Sequence, residues 1–271
     1  MLLSKLFPAL PVLALLAGHV AAQTATSSPA TIILGENSVL GYFDNGNGGL
    51  LSAQGPYGLS QTATVQSLSF WVEQAAGELV LGLYGAGPSN DCRGGALVAA
   101  TAVFTPVQGW NTQPVLTQAQ LPVGYYCLAY LPSDNNLSFR KGVSSGVSEI
   151  YNSWAFTMGL PATFLANPCC GSQSHWSFYA TLAPPTLNIS FNPPNPTVPA
   201  DAAPGTVIAT IQVSWSNGAP FTGTVAFGPP NGSDGGIFAI DGNLNVIVAT
   251  NGPGLLGDAN TTQNITVVAT Q

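Results

Sequence analysis

Short runs of alternating apolar and polar residues recur along most of this chain, and they constrain its fold more than any other feature. ATVQSLSFWVE (63–73) alternates apolar Val65 with polar Gln66 and then sets Leu68, Phe70 and Val72 toward one face. GELVLGLYG (77–85), ALVAATAVFTPV (96–107), TQPVLTQAQL (112–121), GYYCLAYL (124–131), IYNSWAFTM (150–158) and HWSFYATL (175–182) continue the series. Side chains of a strand alternate between two faces, so a period of two with β-branched and aromatic enrichment predicts strands. Gly, Pro, Asn and Asp punctuate the runs as turn formers. No segment carries a capped 3.6-residue apolar stripe. The spacing predicts an all-β protein, an antiparallel sandwich or jelly roll over 31–183.

APPT (183–186) interrupts the pattern, because its two prolines cannot donate to a sheet ladder. A linker is therefore expected at 184–186. A second series follows in LNISF, GTVIATIQVSW, GTVAF, GIFAI, NVIVA and NITVVAT, which predicts a smaller sandwich of immunoglobulin-like size over 187–271. At the other end, Lys5, the apolar run from Leu6 to Ala17 and the small pair Ala21-Ala22 before Gln23 occur in the order of a secretory signal peptide. Residues 1–22 are read as that peptide, and the polar residues 23–30 as a spacer.

Charge excludes one class of partner. Beyond residue 22 only Arg93, Arg140 and Lys141 are strongly basic, against eleven Asp and Glu, which leaves a net charge of −8. Phosphate backbones are held by basic side chains that release counterions, and three bases make no such footprint. Nucleic-acid binding and membrane insertion are not expected. Disorder is not expected either, because 46% of the chain is hydrophobic.

VPADAAPGTVIATIQVSW, FAIDGNLNVIVA and ITVVATQ in the second segment resemble a cadherin-type repeat. Val198, Pro199, Gly205 and Thr206 fall in the frame of that family's opening strand, Phe238-Ala239-Ile240 looks like its Phe-x-Ile core motif, and Val268-Ala269 like its last strand. The resemblance implies a cadherin-like sandwich and points toward adhesion. It does not carry the family's calcium, since Ala200, Ser214, Ser216, Asn217 and Gln271 stand where acidic ligands would be, and Asp201 and Asp258 alone are too few. The first segment, with LGLYG, GWNT and LPVGYYCLAYLP, is loosely similar to jelly-roll modules of secreted and cell-surface proteins.

NPCCGSQSHW (167–176) joins Cys169 and Cys170 to His175. A zinc reading would add Cys92 or Cys127, but adjacent cysteines on an extended segment face opposite ways. An oxidising compartment favours disulfides, and four cysteines allow three connectivities. The expected one has Cys92 and Cys127 each bonded to one of the adjacent pair, because a bond between neighbours would be strained. His175 reads as a strand histidine, with no nucleophile elbow in the chain. In FDNGNGGLL (43–51), Asp44, Asn45 and Asn47 would offer oxygens to calcium or simply form a turn, and the turn is expected. Glu73, Glu78 and Glu149 are expected to face solvent. Tyr57 in GPYG and Trp110 in QGWN fall in turn-like settings, where exposed rings would stack on sugars, while Trp71, Trp154 and Trp176 are expected in the core. Asn136, Asn188, Asn231, Asn260 and Asn264 begin glycosylation sequons.

The function these features predict is a secreted, non-catalytic binding or adhesion protein at the cell surface or outside the cell, taking a glycan, a protein surface or its own copy, with no cofactor. A structural subunit of a surface layer, matrix or fibre is the alternative, and a glycan hydrolase the third class.

Overall fold

A computed structural model of the chain describes residues 31–143, 146–168, 170–194, 196–199, 202–228, 236–249 and 265–270. The signal-peptide and spacer residues lie outside these. The chain divides into two compact units that meet in sequence between Pro185 and Thr186. Both are all-β. Among the described residues the one helix is a single 3-10 turn at Phe156–Met158, and no helix is long and apolar enough to cross a membrane.

Fourteen strands build the first unit: β1 (Ile32–Gly35), β2 (Tyr42–Asn45), β3 (Leu50–Leu59), β4 (Ala63–Gln74), β5 (Leu79–Gly85), β6 (Leu97–Ala100), β7 (Gly109–Pro114), β8 (Gln120–Leu121), β9 (Gly124–Pro132), β10 (Ser138–Val143), β11 (Ser148–Ser153), β12 (Cys170–Ser172), β13 (Ser174–Trp176) and β14 (Phe178–Ala183). They form two antiparallel sheets. The eight-stranded sheet runs β1-β14-β4-β10-β13, with β7 and β8 also on β4 and β2 on β10; the six-stranded sheet runs β12-β11-β3-β9-β5-β6.

Their facing sides interdigitate around Leu68, Phe70, Val72, Phe139, Phe178 and Trp176 from the larger sheet and Leu81, Leu83, Leu128 and Tyr130 from the smaller, all buried. Strand β4 reaches this core only through an irregularity. Val65 lies opposite Leu182 and Ser67 opposite Thr181, so the register slips by one residue between them. A bulge of this kind inverts the side-chain phase. Val65 on one side of it and Leu68, Phe70 and Val72 on the other then all face inward, and Trp71 is turned outward.

The six-stranded sheet is buried on both faces, which is why β5 and β9 read as continuous apolar runs. Its outer side carries Leu51, Ala53, Val80, Tyr84, Cys127, Ala129, Leu131 and Ile150. Connecting chain covers them: Phe164 stacks edge-on against Tyr84 at 5.4 Å, and Tyr84 Oη donates to the Pro161 carbonyl at 2.9 Å. The loop after β5 folds over the same face. Tyr84 lies opposite Cys127, so this loop starts beside β9 and brings Cys92 to a Cα separation of 5.6 Å from Cys127. The disulfide therefore joins Cys92 to Cys127, which corrects the pairing of each with Cys169 or Cys170. Cys169 lies outside the described residues, and Cys170 is described only by its place at the start of β12.

Two further expectations change. GPYG is no turn: it lies within β3, where a Cβ on Gly55 would stand 2.8 Å from Cys127 Sγ, so glycine serves close packing there. The run 96–107 holds only the short β6, and β10 forms where SFRKGV showed no apolar alternation.

The second unit contains β15 (Leu187–Asn192), β16 (Val207–Trp215), β17 (Thr224–Phe227), β18 (Phe238–Ile240), β19 (Asn245–Val248) and β20 (Val267–Thr270). A four-stranded sheet runs β15-β16-β19-β18, and β17 pairs with β20. Phe191, Val198, Ala209, Ile211, Phe238, Val246, Val248 and Val267 make its core.

The covalent tie closes a sequence separation of 35 residues. Replacing Cys92 and Cys127 together by serine should lower stability by about 2–5 kcal/mol. Urea unfolding of the oxidised chain and the double variant measures this, and matching midpoints would remove the disulfide from the account of stability.

Candidate functional site

Because the bulge points the odd-numbered end of β4 outward, Ser67, Ser69, Trp71 and Glu73 project from the outer face of the eight-stranded sheet. The neighbouring strands add to this row. Trp110 of β7 lies opposite Trp71, and Tyr179 of β14 lies opposite Ser69. Trp71 and Trp110 pack edge-to-face at 5.7 Å, and Trp110 and Tyr179 do so at 5.0 Å. Ser69, in the row beneath, is buried and shares a hydrogen bond with Thr112 Oγ1 at 2.8 Å. All three rings are half-buried, so each keeps part of its surface toward solvent.

The row continues through charge. Trp71 Nε1 donates to Glu73 Oε2 at 3.2 Å, and Arg140 Nε of β10 donates to the same oxygen at 2.8 Å. Arg140 also lies over Phe43 of β2, its Cζ 3.9 Å from the ring centroid. Phe43 is 65% exposed. Six side chains, Phe43, Arg140, Glu73, Trp71, Trp110 and Tyr179, are thus linked in one continuous row across five strands. The hydrogen bond from Arg140, then that from Trp71, holds the Glu73 carboxyl below its ordinary value of 4.5. The same bond raises the Arg140 guanidinium further above its usual range.

Of the two rings expected to meet a ligand, the structure brings only Trp110 to this row, and on a strand instead of a turn. Tyr57 also lies on a strand and packs against the main core; Gln54 Nε2 donates to its Oη at 2.9 Å, and burial raises the phenol well above its ordinary value. Trp71, expected in the core, belongs to the outer row, because Phe70 and Val72 on either side of it face inward. Trp176 is buried as expected, and Trp154 is half-buried, its Nε1 donating to the Gly159 carbonyl at 2.7 Å.

Asp44 lies on β2 and not in a turn. Its Oδ2 accepts from Trp176 Nε1 at 2.9 Å, and its Oδ1 stands 3.5 Å from Lys141 Nζ. Among the described residues no three His, Cys, Asp or Glu side chains are grouped to hold a metal. His175 is buried on β13, its Nε2 3.5 Å from Glu36 Oε2. Glu149 departs from expectation: it is 8% exposed and turned toward the other sheet, since Ile150 beside it fills the outer layer. The Asn136 and Asn188 residues are exposed. Asn231, Asn260 and Asn264 lie outside the described residues, as do Asp201 and Asp258.

No protein-family model matches this chain, and no curated protein matches it in sequence.

A carboxyl with a lowered value contributes its interaction in full above the ordinary value and loses it as pH falls through the lowered one. The Arg140–Glu73 contact should therefore be intact at pH 4.5 and fail only under more acid conditions. Carbon-detected NMR titration of Glu73 should give a midpoint below 4.5 that moves upward in Arg140→Gln. A midpoint indifferent to that substitution would separate the two side chains.

Proposed function

We propose that this protein is a secreted, non-catalytic extracellular binding and adhesion module, and that the outer face of its eight-stranded sheet takes a glycan. The observation that carries this reading is the row from Phe43 to Tyr179. Sugar rings present apolar C–H faces and hydroxyl edges. Partly exposed indole and phenol rings offer matching apolar surface and polar edges. Arg140, Glu73 and Thr112, interleaved with the rings, supply donors and acceptors for hydroxyls. Packing among the rings and the Arg140–Glu73 bond holds the row in place before a ligand arrives, which reduces the entropy lost on binding.

The disulfide supports an oxidising, extracellular setting, as does the leader-like order of residues 1–22. The cadherin-like sequence of the second unit supports adhesion, without that family's calcium ligands.

Self-assembly into a surface layer, matrix or fibre is the second reading. One observation favours it: β2 pairs only with β10 among the described residues and carries Tyr42 and Phe43, 66% and 65% exposed. An uncovered apolar edge strand is a template for another chain.

A glycan array with the intact protein should give a signal that Trp110→Ala reduces by tenfold or more, a loss of about 1.4 kcal/mol. Near-UV circular dichroism confirms that the variant is folded. Binding that survives the substitution would move the site off this face. Concentration-dependent assembly on size-exclusion chromatography, removed by Phe43→Lys, would favour the second reading.

A further inference from the structure

Glu149 poses a problem of charge. It is 8% exposed, its Oε1 accepts from Ser172 Oγ at 2.7 Å, and its other oxygen takes no hydrogen bond among the described residues. It joins no ion pair there either. That oxygen opens on a cleft, and a carboxylate mostly withdrawn from bulk water without a counter-charge favours a cationic partner.

The carboxylate borders a cleft of about 160 Å³ between the two sheets, lined chiefly by Asp44, Ser52, Lys141, Glu149, Tyr151 and Trp176. β2 and β10 form one wall, and β3 and β11 the other. Lys141 is the only cation of the lining, and its ammonium faces Asp44 at 3.5 Å. Two carboxylates against one ammonium leave a single uncompensated negative charge, and it rests on Glu149.

We propose that this cleft binds a small primary ammonium, with its –NH₃⁺ on the free oxygen of Glu149. An ammonium carries three donors and no acceptor, which suits a site whose unmet need is a donor. Lys141 repels the ligand's charge from Asp44 and directs it to Glu149. The two carboxylates disfavour anions. Both Asp44 oxygens are already engaged, so too few hard oxygens remain for calcium. The size limits the ligand's body: a cavity of about 150 Å³ admits a single six-membered ring. Tyr151, half-buried, provides ring surface for that body. An amino sugar and an alkylamine, such as a lysine side chain, share this chemistry. The cleft lies on the inner side of the sheets, apart from the outer aromatic row, so this inference does not rest on glycan binding there.

Isothermal titration calorimetry of the full chain at low ionic strength tests it with glucosamine, n-butylamine and glucose as probes. At least one amine should bind in the millimolar range or tighter, and about tenfold or more tightly than glucose, which shares glucosamine's ring without the charge. Glu149→Gln keeps the shape, removes the charge and should weaken amine binding about tenfold or more. Tighter binding of glucosamine assigns the site to an amino sugar, and tighter binding of butylamine to an alkyl ammonium; both results support the proposal. Glucose bound as tightly as either amine, no binding of either amine, or unchanged affinity in the folded variant overturns it. The comparison of both amines with glucose on the unaltered chain decides the question even if Glu149→Gln does not fold.

Discussion

Phe70 touches both sheets at once. Its ring meets Phe178 at 5.1 Å and Phe139 at 5.3 Å within its own sheet, and Tyr130 of the opposing sheet at 5.0 Å. Tyr130 in turn packs on Trp176 at 4.7 Å. Aromatic contacts of this kind, tilted for Phe70 on Tyr130 and edge-to-face for the others, add about 0.5–1.5 kcal/mol each beyond the area they bury. They also set phase. A strand with Phe70 inside must carry Trp71 outside, and one with Phe139 inside must carry Arg140 outside. The row proposed to bind glycan is the outward consequence of this inward knot.

The same knot organises the cleft. Trp176 faces Tyr130, and its indole N–H donates to Asp44 of β2. Asn47 Nδ2, two residues beyond β2, donates to Tyr130 Oη at 2.7 Å. Burial drives that phenol well above its ordinary range, and the nearby Asp44 and Glu149 charges push in the same direction. Polar groups from both sheets thus converge where the apolar core ends, and Glu149 is the carboxylate among them with no ion pair among the described residues.

The layering explains the poverty of charge. A sheet with an apolar layer on each side has little room for ionised residues, and 6% of the chain is charged. The outer layer on the six-stranded sheet is made of loop segments, which hold few ladder hydrogen bonds of their own. The Cys92–Cys127 bond fixes one of these segments directly to β9, at a point where helices or strands would otherwise supply the anchoring.

Much of the fold was legible in the residues. Alternation, turn formers and the Pro184-Pro185 interruption indicated antiparallel β structure throughout, and strand-like runs on each side of the prolines, because backbone geometry makes these patterns local. The site was legible only in part. Trp110 could be named from QGWN, but Trp71 could not be placed beside it, since that depends on β7 pairing with β4. Tyr57 looked exposed because Gly and Pro flank it, whereas Gly55 is there to let β3 approach Cys127. Cysteine content indicated disulfides, while the pairing followed from β5 lying next to β9. Glu149 sat in a strand like any surface acid, and only the packing of two sheets revealed that its carboxylate is enclosed. Side-chain period and turn chemistry are properties of neighbours in the chain. Strand order, bulges and buried charge arise from residues far apart in it, so the tertiary structure alone decided them.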